Sequence, residues 1–348
     1  MKRRLFISAS MIGAAAAGLL WRARPTLANR PADRQNVERL ADGRYLLRAA
    51  ATAFDSTVSI CALHHDPEPA RAALSLALAA VVDLDARLTV QRPRSQVARL
   101  NADGRLDRPD ADLRRVLEFA LKLADASAGA FDPTVQPLWN LHRQCQQLGR
   151  RPARDEIDRA CRRVDWRSVD LGARGITLAP GASITLNGLV QGYAADLAFA
   201  RLADAGIDDA LIDAGEFGSL GSGPSAGPWR VGIQHPRIAQ ALIGVVRMDG
   251  RFLATSGDYA TRFTDDYSSH HIFDPHTGVS PAAFSTVAVA ASSGLVADGL
   301  TKPMMVLDLP SAGRLLDRFS DARAGAGAVW VDKSSRIVAQ HRLPLEPA

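Results

Sequence analysis

Leu253-Ala-Thr255-Ser256-Gly257-Asp258-Tyr259-Ala-Thr-Arg-Phe263, a short polar turn, and His270-His271-Ile-Phe-Asp274-Pro-His276-Thr277-Gly278 form the stretch on which the reading of this chain turns. It lies between apolar runs of strand composition, Phe252-Leu-Ala-Thr255 and Thr286-Val-Ala-Val-Ala290, and it crowds histidines, acids and hydroxyls together. Short runs of the same kind recur at Ala210-Leu-Ile-Asp213, Trp229-Arg-Val-Gly-Ile233, Ile243-Gly-Val-Val246 and Ala328-Val-Trp-Val-Asp332, many of them joined by hairpin-length turns. Strands joined that way pair antiparallel. The expected fold class is therefore α+β, a single domain with a largely antiparallel sheet flanked by helices, and all of these runs are expected to continue one sheet.

Helical spacing appears at residues 70–88, 110–127, 194–205 and 293–307, with Gly129 and Gly206 as stop signals. The run Ser183-Ile-Thr-Leu186 reads as a strand feeding a glycine-bearing turn, Asn187 to Tyr193, and then a helix. Backbone amides at such a turn are free to meet an anion.

Composition narrows the function. With 47% hydrophobic and 23% charged residues over 348, the chain has an ordinary globular balance. Lys2-Arg3-Arg4-Leu5-Phe6, an apolar stretch at residues 9–21 and Thr26-Leu27-Ala28 read as an export signal of twin-arginine type, removed after residue 28, with residues 29–348 as one domain. The first 28 residues hold five basic side chains and no acid, which leaves 37 basic against 37 acidic residues. A neutral mature chain gives no case for nucleic acid or for an anionic membrane. Cys61, Cys145 and Cys161 lack metal-ligand spacing. A serine hydrolase built on Ser256 or Ser292 with His271 lacks the Gly-x-Ser-x-Gly elbow. Zinc held by His270, His271 and His276 fails on spacing, and no Gly-x-Gly-x-x-Gly follows an early strand.

Taken together, the motifs resemble those of the ApbE family, the FAD:protein FMN transferases. Phe131-Asp-Pro-Thr-Val-Gln-Pro-Leu138, Asn187-Gly-Leu-Val-Gln-Gly-Tyr193-Ala-Ala-Asp196, Thr255-Ser-Gly-Asp-Tyr259, His271-Ile-Phe-Asp-Pro-His-Thr-Gly278 and Ala297-Asp-Gly-Leu300 follow the family's blocks in order. The resemblance implies splitting of FAD at its pyrophosphate, loss of AMP, and attachment of FMN by a phosphoester to a Thr or Ser of a partner protein. It also implies Mg²⁺, with Asp298, the carbonyl of Val190 and a Thr as oxygen ligands.

The chain departs from the pattern at that Thr. The family places it four residues after the Asp, on the same helix face, where this chain has Lys302; Thr301 is one position early, about 100° round a regular helix. Lys is rare here, four against 38 Arg. Either the Lys302 ammonium stands at the pyrophosphate in place of part of the metal's charge, or it snorkels at the surface and Thr301 serves through a distortion at Pro303. By resemblance His271 is the candidate proton-handling group, with Asp258 and Lys302 beside it as catalytic candidates. Asn187, Gly188, Gln191, Tyr193, Ser256, Gly257, Tyr259, Asp274 and Thr277 are candidates to bind the flavin nucleotide. Tyr193 and Tyr259 serve equally well as core, and Asp274 and Thr277 equally well as turn-formers. Gln191 stands where the family often has Lys, and Ala214-Gly215-Glu216 replaces a Gly-Gly-Asp turn, read as a tolerated change. The expected setting is the periplasm. The expected partner is a membrane respiratory flavoprotein with a periplasmic domain, and the motif variants are reminiscent of NosX-type members of the family. An FAD pyrophosphatase giving FMN and AMP, or a non-catalytic flavin-binding protein, stands as the alternative.

Overall fold

The computed structural model describes residues 36–320 and 325–348, and the expected signal at 1–28 lies outside them. Strands β1 (Asn36–Arg39), β2 (Tyr45–Ala53) and β3 (Ser56–His64) open as an antiparallel meander. Phe54 and Asp55 close the second hairpin with φ of 53° and 56°, the left-handed pair that a two-residue turn needs to match strand twist. There follow α1 (Pro67–Leu88), α2 (Gln96–Asp103), β4 (Arg105–Asp107), α3 (Ala111–Ala126), α4 (Gln136–Gln147) and α5 (Arg154–Cys161). Asp66, Ser95 and Asp110 cap the first three helices by accepting a first-turn amide. Next come β5 (Val169–Leu171), β6 (Gly175–Leu178), α6 (Val190–Asp204), β7 (Asp209–Asp213), β8 (Phe217–Leu220), β9 (Arg230–Gln234), β10 (Leu242–Arg247) and β11 (Phe252–Gly257). The chain ends with β12 (Phe284–Ala291), α7 (Gly294–Val306), α8 (Leu309–Arg318), β13 (Gly327–Asp332), β14 (Ile337–His341) and β15 (Leu345–Glu346).

Nine strands form one sheet in the order β1-β2-β3-β7-β8-β11-β12-β13-β14, antiparallel at each pairing. The expected α+β class with a largely antiparallel sheet is what is found. β12 is buried along all eight residues, so both faces of the sheet are covered there. Val287, Val289 and Ala291 join the core under the helices, while Ala288 and Ala290 join a second cluster with Trp229, Val231 and Ile233. That is the period-two alternation of a strand read against two different layers.

The second layer corrects the sequence reading. The runs at 229–233 and 243–246 do not continue the main sheet; they pair with each other as β9 and β10, and with β15, in a separate sheet laid over its other face. Ser183-Ile-Thr-Leu186 is not a strand either. Asn101 clamps it instead, with its Nδ2 donating to the Ile184 carbonyl at 2.8 Å and its Oδ1 accepting the Ile184 amide at 2.7 Å. One side chain supplies the two bonds a neighbouring strand would have made, so the backbone is satisfied without a ladder.

Candidate active site at the crossing of two helices

The helix expected from residue 194 starts four residues earlier, at Val190. Several amides of the turn before it are already taken: those of Leu189 and Val190 bond the Leu186 carbonyl, Tyr193 bonds Leu189, and Gly192 donates to Asp298 Oδ2 at 3.1 Å. Gly192 lies where α6 meets the start of α7. A Cβ on it would stand 2.1 Å from the Gly294 carbonyl oxygen, and one on Gly294 would stand 2.2 Å from that of Gly192. The two helices therefore touch backbone to backbone, which only glycine permits. Asp196, one turn on, accepts the amides of Gly294 and Leu295 at 2.6 and 2.9 Å and the Ser293 hydroxyl at 2.8 Å. A carboxylate at the amide end of α7 meets its unpaired N–H groups and its dipole.

This crossing sets Asp298 and Lys302 over the α6 start. The Lys302 ammonium pairs with Asp298 Oδ1 and donates to the Asp298 carbonyl at 3.1 Å. Its stem runs past Gly188, where a Cβ would lie 2.9 Å from Lys302 Cε. Asp298 is buried, and Lys302 keeps 20% of its side chain exposed, so the charge reaches the solvent. Thr301 turns the other way: its hydroxyl donates to the Asp298 carbonyl at 2.7 Å and lies 2.7 Å from Ser256 Oγ on β11. Lys302, four residues after Asp298, thus pairs with its carboxylate, while Thr301 is drawn to the sheet.

Glu216 is the site residue that the sequence reading passed over. It is buried, accepts the Thr255 amide at 2.9 Å, and is pushed well above the usual carboxylate range by burial and by the charge of Asp298. Gly215 before it has φ of 89°, and a Cβ there would lie 2.4 Å from Gln191 Nε2, so Gln191 packs directly on this turn. An acid after a glycine at a strand end is a weak signal alone; its partners Thr255, Gln191 and Asp298 come from three other parts of the chain.

His271 is half-buried, and its Nδ1 lies 3.1 Å from the Thr261 carbonyl. A ring nitrogen facing a carbonyl carries the hydrogen, which leaves the Nε2 lone pair as acceptor. Burial, with the Lys302 charge added, lowers its pKa to about 4, so the ring is neutral at pH 7. His270 is fully buried beside the Pro281 carbonyl and is likewise lowered to about 4 by burial first. His276 is exposed in its turn.

Other sequence candidates take structural parts. Asp258 is buried, with both carboxylate oxygens held by Arg237 at 2.8 and 2.7 Å and one also by Lys333 at 2.8 Å. Tyr193 is core, its hydroxyl donating to Asp112 at 2.7 Å on α3, and burial raises its pKa to about 12. Tyr259 folds against Gly257, where a Cβ would stand 2.3 Å from its ring, and Ser256 is buried against Thr301. Asp274 accepts the His276 amide and the Thr277 hydroxyl, each at 3.0 Å, which closes the turn. Asn187 is exposed, and Val190 is the first residue of α6. An open groove of about 1010 Å³ beside Asn101, Trp139 and Ser183 touches none of Lys302, Asp298, Glu216 or His271.

The site thus brings together a partly exposed ammonium paired with a buried aspartate, a buried acid held well above the usual carboxylate range, and a neutral histidine. The ApbE family signature matches residues 49–325, and the chain belongs to the ApbE family. It is 30% identical over 277 residues to a protein of Treponema pallidum named FAD:protein FMN transferase, which covers 72% of this chain and 74% of that one. A protein of the same name from Haemophilus influenzae is 26% identical over 250 residues, 65% and 69% of the two chains. Among solved structures, the ApbE protein of Thermotoga maritima superposes with a TM-score of 0.74 at 25% identity, over 84% of this chain and 96% of that one. The flavinyl transferase ApbE of Pseudomonas stutzeri gives 0.69 at 25% identity, over 88% and 96%.

Proposed function

We propose that this chain is an FAD:protein FMN transferase. The observation that carries the reading is the Lys302 ammonium paired with Asp298 beside the α6–α7 crossing, with Glu216 and neutral His271 near enough to feel its charge, in a family whose relatives bear that name. In the reaction an acceptor Thr or Ser oxygen bonds to the flavin-side phosphorus of FAD as the bond from that phosphorus to the bridging oxygen breaks. AMP leaves with the bridging oxygen and its electron pair, and the hydroxyl proton passes to His271 Nε2 and on to solvent. Phosphoryl transfer of this kind depends on positioning and on charge stabilisation. With its pKa near 4, His271 is a weak base, so its main part is to orient the hydroxyl through the Nε2 lone pair.

The family resemblance brings an expectation of Mg²⁺, and the donor set here does not fit that ion. Asp298 Oδ1 is paired with Lys302 and Oδ2 with the Gly192 amide, while the Thr301 hydroxyl is used between Asp298 and Ser256. Among the described residues no three His, Cys, Asp or Glu side chains gather to hold a metal. A divalent ion at Asp298 would also face the ammonium, and a doubly charged and a singly charged cation about 4 Å apart repel by about 8 kcal/mol at an effective dielectric of about 20.

Residues 1–28 support export by the twin-arginine route and work in the periplasm, on a membrane respiratory flavoprotein whose acceptor domain faces that compartment. Among the described residues no helix is long and apolar enough to cross a membrane. Incubation of the mature chain with FAD and a Thr-bearing acceptor domain tests the function. Covalent flavin fluorescence on the acceptor with one AMP released per flavin attached supports it. Free FMN and AMP without labelling would instead make it a pyrophosphatase, and intact bound FAD a carrier.

A further inference from the structure

Resting on the transferase reading, we propose that Lys302 is the cation of this active site: its ammonium, fixed by Asp298, bridges to the FAD pyrophosphate and lets this chain split FAD without a divalent ion. The ammonium is built in. It is held by the carboxylate and the carbonyl of one residue four positions back, on a helix locked by the Gly192–Gly294 contact and by the Asp196 clamp. Two of its three N–H groups are thereby used, and the third is left for a phosphate oxygen. The side chain is one-fifth exposed, enough to meet a ligand from solvent and too little for a freely solvated lysine.

The surroundings are shaped to admit it. Gly188 leaves room for the lysine stem, and any larger residue there would displace it. Glu216 is buried and its pKa is pushed well above the usual carboxylate range, which weakens its competition with phosphate for the ammonium. Thr301, the hydroxyl closest in sequence, is bonded away from the cleft. An ammonium is a point-charge phosphate binder, and a charge-assisted bond to phosphate is about twice as strong as a neutral one. In the transfer step it donates to the pyrophosphate oxygens as negative charge builds on the departing AMP phosphate, and keeps its own proton.

The test compares wild type, Lys302→Thr and Lys302→Met in EDTA and in Mg²⁺. FMN transfer and AMP release by the wild type should agree within about twofold between the two conditions. Lys302→Thr should lose about tenfold or more in EDTA and recover in Mg²⁺, since a hydroxyl oxygen is a hard ligand and an ammonium is none. Binding gives an arm free of turnover. In EDTA, Lys302→Met should weaken FAD binding by about tenfold and leave riboflavin, which has no phosphate, unchanged. Mn²⁺ followed by electron paramagnetic resonance should bind Lys302→Thr and not the wild type. A wild type that is inactive in EDTA and restored by Mg²⁺ overturns the proposal, as does equal FAD affinity in wild type and Lys302→Met. If no condition yields transfer or AMP, the transferase reading fails, and the FAD and riboflavin affinities still decide the role of Lys302.

Discussion

Replacing Gly192 by Ala should destabilise the protein, although helix propensity alone points the other way. The new Cβ would stand 2.1 Å from the Gly294 carbonyl oxygen and 2.6 Å from Asp298 Cβ. Ordinary contact begins near 3.4 Å, so α6 and α7 must part by about 1.3 Å. Overpacking of that kind costs about 1–3 kcal/mol, and stretching the Gly192 amide off the Asp298 carboxylate costs about 1.5–3 kcal/mol more. Against these stands a gain of about 1 kcal/mol for Ala over Gly in a helix. The balance is a loss of about 1.5–5 kcal/mol, read from the urea midpoint by circular dichroism at unchanged slope. Gly313→Ala is the control. That residue lies in α8 with nothing within 4 Å of a built Cβ, so the same substitution should stabilise by up to about 1 kcal/mol. A Gly192→Ala midpoint equal to or above wild type would refute the backbone-to-backbone account of the crossing.

Two further outcomes follow from the buried charges. Glu216 has a raised pKa in the fold, so its neutral form supports stability below the unfolded value near 4.5, and that support is lost as pH rises toward the folded pKa. Glu216→Gln, which keeps an acceptor for the Thr255 amide, should flatten this fall, worth at most about 1.4 kcal/mol per pH unit; parallel urea midpoints for wild type and variant from pH 5 to 8 would contradict it. Asp258→Asn leaves Arg237 and Lys333 without their shared carboxylate and should cost about 3 kcal/mol, discounted for their partial exposure, while transfer per folded molecule persists. A stable but inactive Asp258→Asn would return that acid to the chemistry.

The sequence exposed the architecture where the physics is local. Strand runs, capped helices and hairpin-length turns forecast the α+β class, and the ordered motifs led to the family. What stayed hidden was what the fold assembles from distant positions. Nothing near Trp229 says that β9 and β10 form a separate layer, because alternation fixes which face is apolar and not which sheet covers it. Ser183 to Leu186 has strand composition, yet the Asn101 side chain, 83 residues away, satisfies the Ile184 backbone. Tyr193 is ambiguous in sequence because Asp112, which takes its hydroxyl, lies 81 residues away on α3. Lys302 stood out by its rarity and spacing, whereas Glu216 passed as a tolerated change, since its burial and its neighbours Asp298 and Gln191 exist only in three dimensions.

Mass spectrometry of a Thr-bearing acceptor domain after incubation with this chain and FAD tests the central claim most directly. The account predicts an acceptor heavier by one FMN less water, attached through a phosphoester at Thr or Ser, with AMP released in equal amount. An unmodified acceptor beside intact FAD would contradict it.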